Sequence, residues 1–205
     1  MSAQSFFATQ IYQAPLLRSG GAGFARDVLK ESRQIRDYDR AGQRWSKKGY
    51  PGGYTSYGSM DQLHRFSSGF DDLRKAIDRH VERYARALAW DLDRIELVMT
   101  DCWLNIMPKA CAHSFHLHPQ SAISGTYYAF VPKGAPGLRI EDPRLSCLMA
   151  APPMRADVEE AMQRHVTLPA RTGDLILFES WLRHEVPANP VKTERVSISF
   201  NYHWQ

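Results

Sequence analysis

The segment RVSISFNYHW (195–204) alternates without a break, Val196, Ile198, Phe200 and Tyr202 against Arg195, Ser197, Ser199, Asn201 and His203. A period of two marks a strand with one face on a core and the other turned toward something polar. It closes a series of short extended segments, 95–107, 126–132, 137–142 and 174–180, with Pro and Gly between them. Short strands punctuated in this way point to an antiparallel sandwich or jelly roll rather than a parallel sheet. The polar face of the last strand has two readings, an outer face in water or the wall of an internal pocket, and this strand alone favours neither. Residues 154–165, MRADVEEAMQRH, read as one short helix between strands.

Upstream of Asp93 the texture is helical. Phe70, Leu73, Ile77, Val81, Tyr84 and Leu88 recur at steps of three and four through residues 69–91, the stripe of a helix lying on one face of a sheet. A shorter amphipathic helix is expected from Phe24 to Ile35, and a strand over residues 5–12, ahead of Pro15. RAGQRWSKKGYPGGYTSYGSM (40–60) carries enough Gly, Ser and Tyr to read as a long loop. The expected fold is mainly β with flanking helices: a jelly-roll core over 95–205, with a strand and helices over 1–94 packed on one sheet. With 205 residues, 43% of them hydrophobic, a single domain spanning 1–205 can bury a real core.

The formal charge of +4 comes from scattered Lys and Arg, so nucleic acid is not demanded, although an anionic ligand would be welcome. Cys102, Cys111 and Cys147 are sparse and form no Cys-x-x-Cys pair, which suits a reducing compartment. No apolar run reaches membrane-spanning length, and MSAQSFFATQIY lacks the build of a secretion signal. The expectation is a cytoplasmic protein with no membrane partner.

The chemistry concentrates in HSFHLHPQSAISGTYY (113–128). On a strand, His116 and His118 would leave the same face. His184 ends the separate apolar segment DLILFESWLRH, and Arg195 follows eleven residues later. Three imidazoles converging from distant strands would leave coordination positions open on a metal ion, as a catalytic site requires. Imidazole does not choose between iron, zinc, copper and nickel. Arg195 narrows the choice, because a guanidinium beside the metal suits a dicarboxylate that chelates the ion at one end and needs an anchor at the other.

His116-Leu-His-Pro-Gln-Ser, Ser124-Gly-Thr-Tyr-Tyr, Ile140-Glu-Asp-Pro-Arg, the run from Thr172 to His184 and Glu194-Arg-Val-Ser-Ile-Ser-Phe-Asn-Tyr together resemble the bacterial family of 2-oxoglutarate- and Fe(II)-dependent oxygenases with a double-stranded β-helix core. The resemblance covers nearly the whole chain. It implies iron on His116, His118 and His184 and 2-oxoglutarate held by Arg195, with release of succinate and carbon dioxide and hydroxylation of a small molecule or protein side chain. It implies no particular substrate. Ser197, Asn105 and Tyr128 are further candidates for holding the co-substrate. The wider superfamily usually places an acid where this chain has His118, and no acid lies between Asp101 and Glu141. The site is therefore either three-histidine or completed by an oxygen donor such as Gln120. Two alternatives remain at this level. A cupin-like three-histidine enzyme would not use 2-oxoglutarate, but that pattern expects a glutamate where Ala122 and Ile123 stand. A non-catalytic barrel would have lost iron with the acid.

Other residues draw blander readings. His113, three before His116, should face the opposite side of a strand. Trp103 and Tyr127 read as packing, Trp181 as packing under the ligand loop, and His165 as meeting helix-terminal carbonyls. His64 and His203 have no pattern around them. The His80-x-Glu82 pair reads as a solvated helix face, because residues two apart on a helix diverge. The Gly49–Tyr57 segment could form a lid.

Overall fold

A computed structural model describes residues 3–205. The elements run in the order β1 (Tyr12–Pro15), α1 (Gly21–Tyr38), α2 (Arg40–Gly49), β2 (Tyr54–Thr55), α3 (Leu63–Phe66), α4 (Ser68–Ala87), β3 (Leu97–Met107), β4 (His113–His116) and β5 (Ile123–Phe130). β6 (Leu138–Glu141), β7 (His165–Leu168), β8 (Asp174–Glu179), β9 (His184–Val186) and β10 (Arg195–Trp204) complete the chain. The strands make two antiparallel sheets, a major one ordered β1-β8-β5-β10-β3-β2 and a minor one ordered β4-β9-β6-β7. This is the jelly-roll architecture.

Two apolar cores set the sidedness of the major sheet. On its outer face Phe70, Leu73, Ile77, Val81 and Tyr84 of α4 join Val196, Ile198, Phe200 and Tyr202 of β10 in one buried cluster. Between the sheets lies a second cluster that includes Met107, Tyr128, Ile176, Phe178, Leu182 and Val186. Because the apolar side of β10 is committed to the helices, its polar side must look into the space between the sheets. Arg195, Ser197 and Asn201 are accordingly buried, and the second reading of that strand is the correct one.

Several local expectations are overturned. The predicted strand over 5–12 begins only at Tyr12 and continues through Pro15, which pairs opposite Asp174. β1 is an edge strand, where a proline without an N–H is tolerated, and Phe6 and Phe7 upstream are exposed. α1 extends beyond Phe24–Ile35 at both ends. Half of the expected loop at 40–60 is helix α2, because Asp39 caps it through Gly42 N at 2.9 Å while also accepting from Tyr54 Oη and Ser59 Oγ. The helix foreseen at 154–165 reduces to a 3-10 turn at Glu160–Met162, and His165 opens β7 with its Nε2 3.7 Å from Glu141. His80 is not on a solvated face: it is buried, with Nδ1 2.8 Å from Tyr12 Oη and Nε2 2.9 Å from Leu16 O, and ties α4 to the N-terminal strand.

Candidate metal and anion site

β4 and β9 are adjacent in the minor sheet, and His116 pairs directly with His184. His118 lies beyond the end of β4, so alternation along a strand is not what aligns it with His116. Its backbone N–H is anchored to Ser180 O at 3.0 Å, which turns the ring back toward the pair. The ring centroids are 4.3 Å apart for His116 and His184, 5.3 Å for His116 and His118, and 5.2 Å for His118 and His184. One ligand nitrogen from each ring falls within 4.8 Å of the others.

The partners of these rings fix which nitrogen each can offer. Nδ1 meets Ser114 O at 2.7 Å in His116, Asn201 Oδ1 at 2.8 Å in His118 and Leu182 O at 2.9 Å in His184. A carbonyl oxygen only accepts, so each Nδ1 carries a proton, and in the neutral ring it is Nε2 that holds the bare lone pair. The amide of Asn201 cannot be turned around, because its Nδ2 donates to the Asp101 carboxylate at 3.2 Å and its Oδ1 also accepts from Ser124 Oγ at 2.8 Å. His118 Nε2 is buried with no partner among the described residues. An orphaned lone pair facing two others is what a metal ion would satisfy, and outer hydrogen bonds of this kind orient metal-binding imidazoles. Neutrality is enforced as well. Burial first, and then the neighbouring His116, push His118 down to about 4 and His184 to about 3, against the hydrogen bonds to Asn201 and Leu182.

Arg195 opens β10 at the far end of the same recess, 2% exposed. Its Nη1 donates to Ser197 Oγ at 3.3 Å and its guanidinium lies 4.8 Å from the Tyr128 ring centroid. Among the described residues no carboxylate pairs with it, and its Nε is unsatisfied. Burying an ion without a counter-ion costs on the order of several kcal/mol. An anion entering the recess would offset that cost. Six buried side-chain polar atoms lack partners among the described residues, and five of them, Tyr50 Oη, Asn105 Oδ1, His118 Nε2, Tyr128 Oη and Arg195 Nε, belong to this neighbourhood. Asn105 Nδ2 is 3.0 Å from Ser199 Oγ. Since a hydroxyl both donates and accepts, the reversed amide satisfies Ser199 equally and offers Nδ2 to an anion.

The recess adjoins a wider cavity of about 610 Å³, and the two share Trp103, Asn105, His113, His116 and His118. Here too readings change. His113 faces the site, because β4 bulges: three residues from His113 to His116 span two from Val186 to His184. Its ring stacks on Tyr50 at 4.3 Å, and burial, His116 and Arg195 hold its pKa down to about 3. Trp103 is a wall, stacked on His118 at 5.8 Å, whereas Tyr127 packs in the outer core. Gln120 lines the outer cavity together with His116 and His118. Trp181, half exposed, lines a surface cavity with Leu117, His118 and Pro119 of the ligand loop, His64 is buried away from the site, and His203 sits at the outer rim. From the Gly49–Tyr57 segment, Gly49, Tyr50, Thr55 and Tyr57 line the cavity. Tyr50 carried no signal beyond its loop composition.

Residues 101–201 match the family described as "Putative 2OG-Fe(II) oxygenase". No curated protein is similar to the chain by sequence. Among solved structures, the α-ketoglutarate-dependent non-heme epimerase SnoN from nogalamycin biosynthesis superposes with a TM-score of 0.67 at 16% identity, over 95% of this chain and 76% of SnoN. HygX from Streptomyces hygroscopicus, with nickel and 2-oxoglutarate bound, gives 0.65 at 13% identity over 96% and 83%. A prolyl-4-hydroxylase from Pseudomonas putida gives 0.54 at 17% over 95% and 92%. At such identities the likeness establishes the fold. No helix among the described residues is long and apolar enough to cross a membrane.

Proposed function

The chain belongs to the family of 2OG-Fe(II) oxygenases, and on that premise we propose that it hydroxylates an organic substrate at a three-histidine iron site, with 2-oxoglutarate anchored by Arg195. When bound, iron and 2-oxoglutarate supply the oxidative decarboxylation that yields succinate and carbon dioxide and the oxidising power directed at a C–H bond. The chain's own residues do the holding. His116, His118 and His184 present three neutral Nε2 donors, kept in that tautomer by Ser114 O, Asn201 Oδ1 and Leu182 O. A ligand set without a carboxylate leaves the metal's positive charge uncompensated by protein, which favours binding of an anionic co-substrate. Arg195 would take the far carboxylate by two parallel hydrogen bonds, joined by Ser197 Oγ, Tyr128 Oη and Tyr50 Oη, with Asn105 alongside. Trp103 and His113 line both the recess and the outer cavity, at the passage by which a substrate would reach the metal.

The observation that carries this reading is the buried, unpaired guanidinium of Arg195 sharing one recess with three lone-pair-bearing imidazoles. It is also what argues against a cupin-like enzyme without the keto acid, since such a site has no use for a buried anion anchor. The test is succinate release from 2-oxoglutarate by iron-loaded protein. His116→Ala, His118→Ala and His184→Ala should each lower iron content and succinate together. Full iron content in His118→Ala would move that ligand elsewhere, and iron-loaded wild type that consumes no 2-oxoglutarate in the presence of candidate substrates would retire the oxygenase reading in favour of a binding module.

A further inference from the structure

We propose that the outer cavity selects a small organic cation, a substrate carrying a protonated or quaternary amine; this rests on the oxygenase reading, because the cavity opens on the histidine cluster. Two features of its wall support the assignment. The first is charge. Among the described residues no Lys or Arg lines the cavity, and its one carboxylate is Asp101, in a chain of formal charge +4. Asp101 has no ion pair among the described residues. Thr100 Oγ1 at 2.8 Å and Asn201 Nδ2 at 3.2 Å both donate to its Oδ2, and no hydrogen bond reaches Oδ1. The two compartments are therefore opposite in character, with a bare cation in the inner recess and a half-satisfied anion in the outer cavity.

The second feature is aromatic. Trp45, Tyr57 and Trp103 line the cavity in succession, with ring centroids 6.4 Å and 5.2 Å apart and planes meeting at 69° and 62°. Rings that meet steeply form a corner of π-faces, the arrangement that attracts an ammonium group. Trp45 and Tyr57 are 40% and 53% exposed, so the corner is open to an incoming molecule. The indole of Trp45 is nonetheless held in place. A Cβ on Gly58 would sit 2.5 Å from its five-membered ring, and one on Gly49 would sit 2.7 Å from its six-membered ring. Two glycines that leave room for a half-exposed indole describe a built wall rather than an incidental surface residue. A volume of about 610 Å³ is that of a small-molecule site.

The test uses choline and its uncharged carbon isostere, 3,3-dimethylbutan-1-ol, titrated calorimetrically into iron-loaded, anaerobic protein holding 2-oxoglutarate. The two probes share shape and differ in charge. Choline should bind at least tenfold more tightly. That preference should vanish in Asp101→Asn, in Trp45→Ala and in Gly58→Ala, whose methyl displaces the indole, and should return in Trp45→Phe. Iron content should be unchanged in Trp45→Ala and Gly58→Ala, which separates loss of the wall from loss of the fold. Equal affinity for the two probes overturns the proposal, as does a preference for choline that survives both Asp101→Asn and Trp45→Ala. The oxygenase reading fails separately, by absence of a visible charge-transfer band on adding 2-oxoglutarate to the iron-loaded protein.

Discussion

Arg195 distinguishes this site from a generic cluster of histidines. A guanidinium with no counter-ion destabilises the protein that contains it, so the structure predicts a sign. Arg195→Met should leave the protein lacking metal and co-substrate at least as stable as wild type, or more so by about 1–4 kcal/mol, in urea unfolding. The same change should weaken 2-oxoglutarate binding by about 2–5 kcal/mol, roughly 30- to 4000-fold, by calorimetry on protein loaded with a redox-inert divalent metal. Arg195→Lys should recover only part of that, because an ammonium lacks the planar fork. Destabilisation of the ligand-free protein by Arg195→Met would mean that the residue is structural. Asn201 makes a complementary case. It touches no proposed ligand of the anion, but its Oδ1 fixes the proton on His118 Nδ1. Asn201→Ala should lower metal affinity roughly 10–100-fold by competition with a chelating dye, less than removal of His118 itself.

At the scale of elements, the strands of the core and α4 were legible because their patterns answer to packing on one side. The alternation of β10 and the three-four stripe of α4 meet in one buried cluster. That contact was knowable in kind. Which side of β10 formed the cavity was not, since the choice depends on where the helices dock. β4 was illegible for another reason. A bulge lets His113 and His116 face the same way and a backbone anchor at Ser180 redirects His118, so a strict period of two gave a correct neighbour for a wrong reason and dismissed His113. Helix α2 was hidden because its residues are poor in apolar signal and its start depends on Asp39, whose partners Tyr54 and Ser59 come later in the chain. Trp45 became visible only when that segment was placed beside the site, whereas Tyr50 and Tyr57 fall in the stretch read as a lid, with no role assigned to either ring. The junction of α4 with β10 carries its own prediction. Tyr202 Oη donates to Asp78 Oδ1 at 2.6 Å beneath the major sheet, where burial already pushes the Asp78 carboxyl up. Tyr202→Phe removes that donor from a half-buried carboxylate that keeps its ion pair with Arg74, and should cost about 0.5–1.5 kcal/mol in urea unfolding, with iron content unaffected.

The whole molecule should show its pH dependence through buried imidazoles. His113, His118 and His184 are held near 3 to 4 in the folded chain against an ordinary value of 6.5, and burial lowers His80 too. The unfolded chain thus takes up protons first. Stability is fully present above pH 6.5 and is lost as pH falls from there toward about 3. The midpoint of thermal unfolding of the metal-free protein should drop steadily across that window, and a flat profile would mean that these rings are not buried as neutral groups. The account as a whole turns on one ion and one anion sharing a recess between the two sheets. Anaerobic titration of Fe(II)-loaded protein with 2-oxoglutarate, followed in the visible spectrum, tests it most directly. A charge-transfer band should grow to one equivalent in wild type and be absent in Arg195→Ala at the same 2-oxoglutarate concentrations while iron remains bound; a band of undiminished intensity in Arg195→Ala, or none in wild type at full iron content, would contradict it.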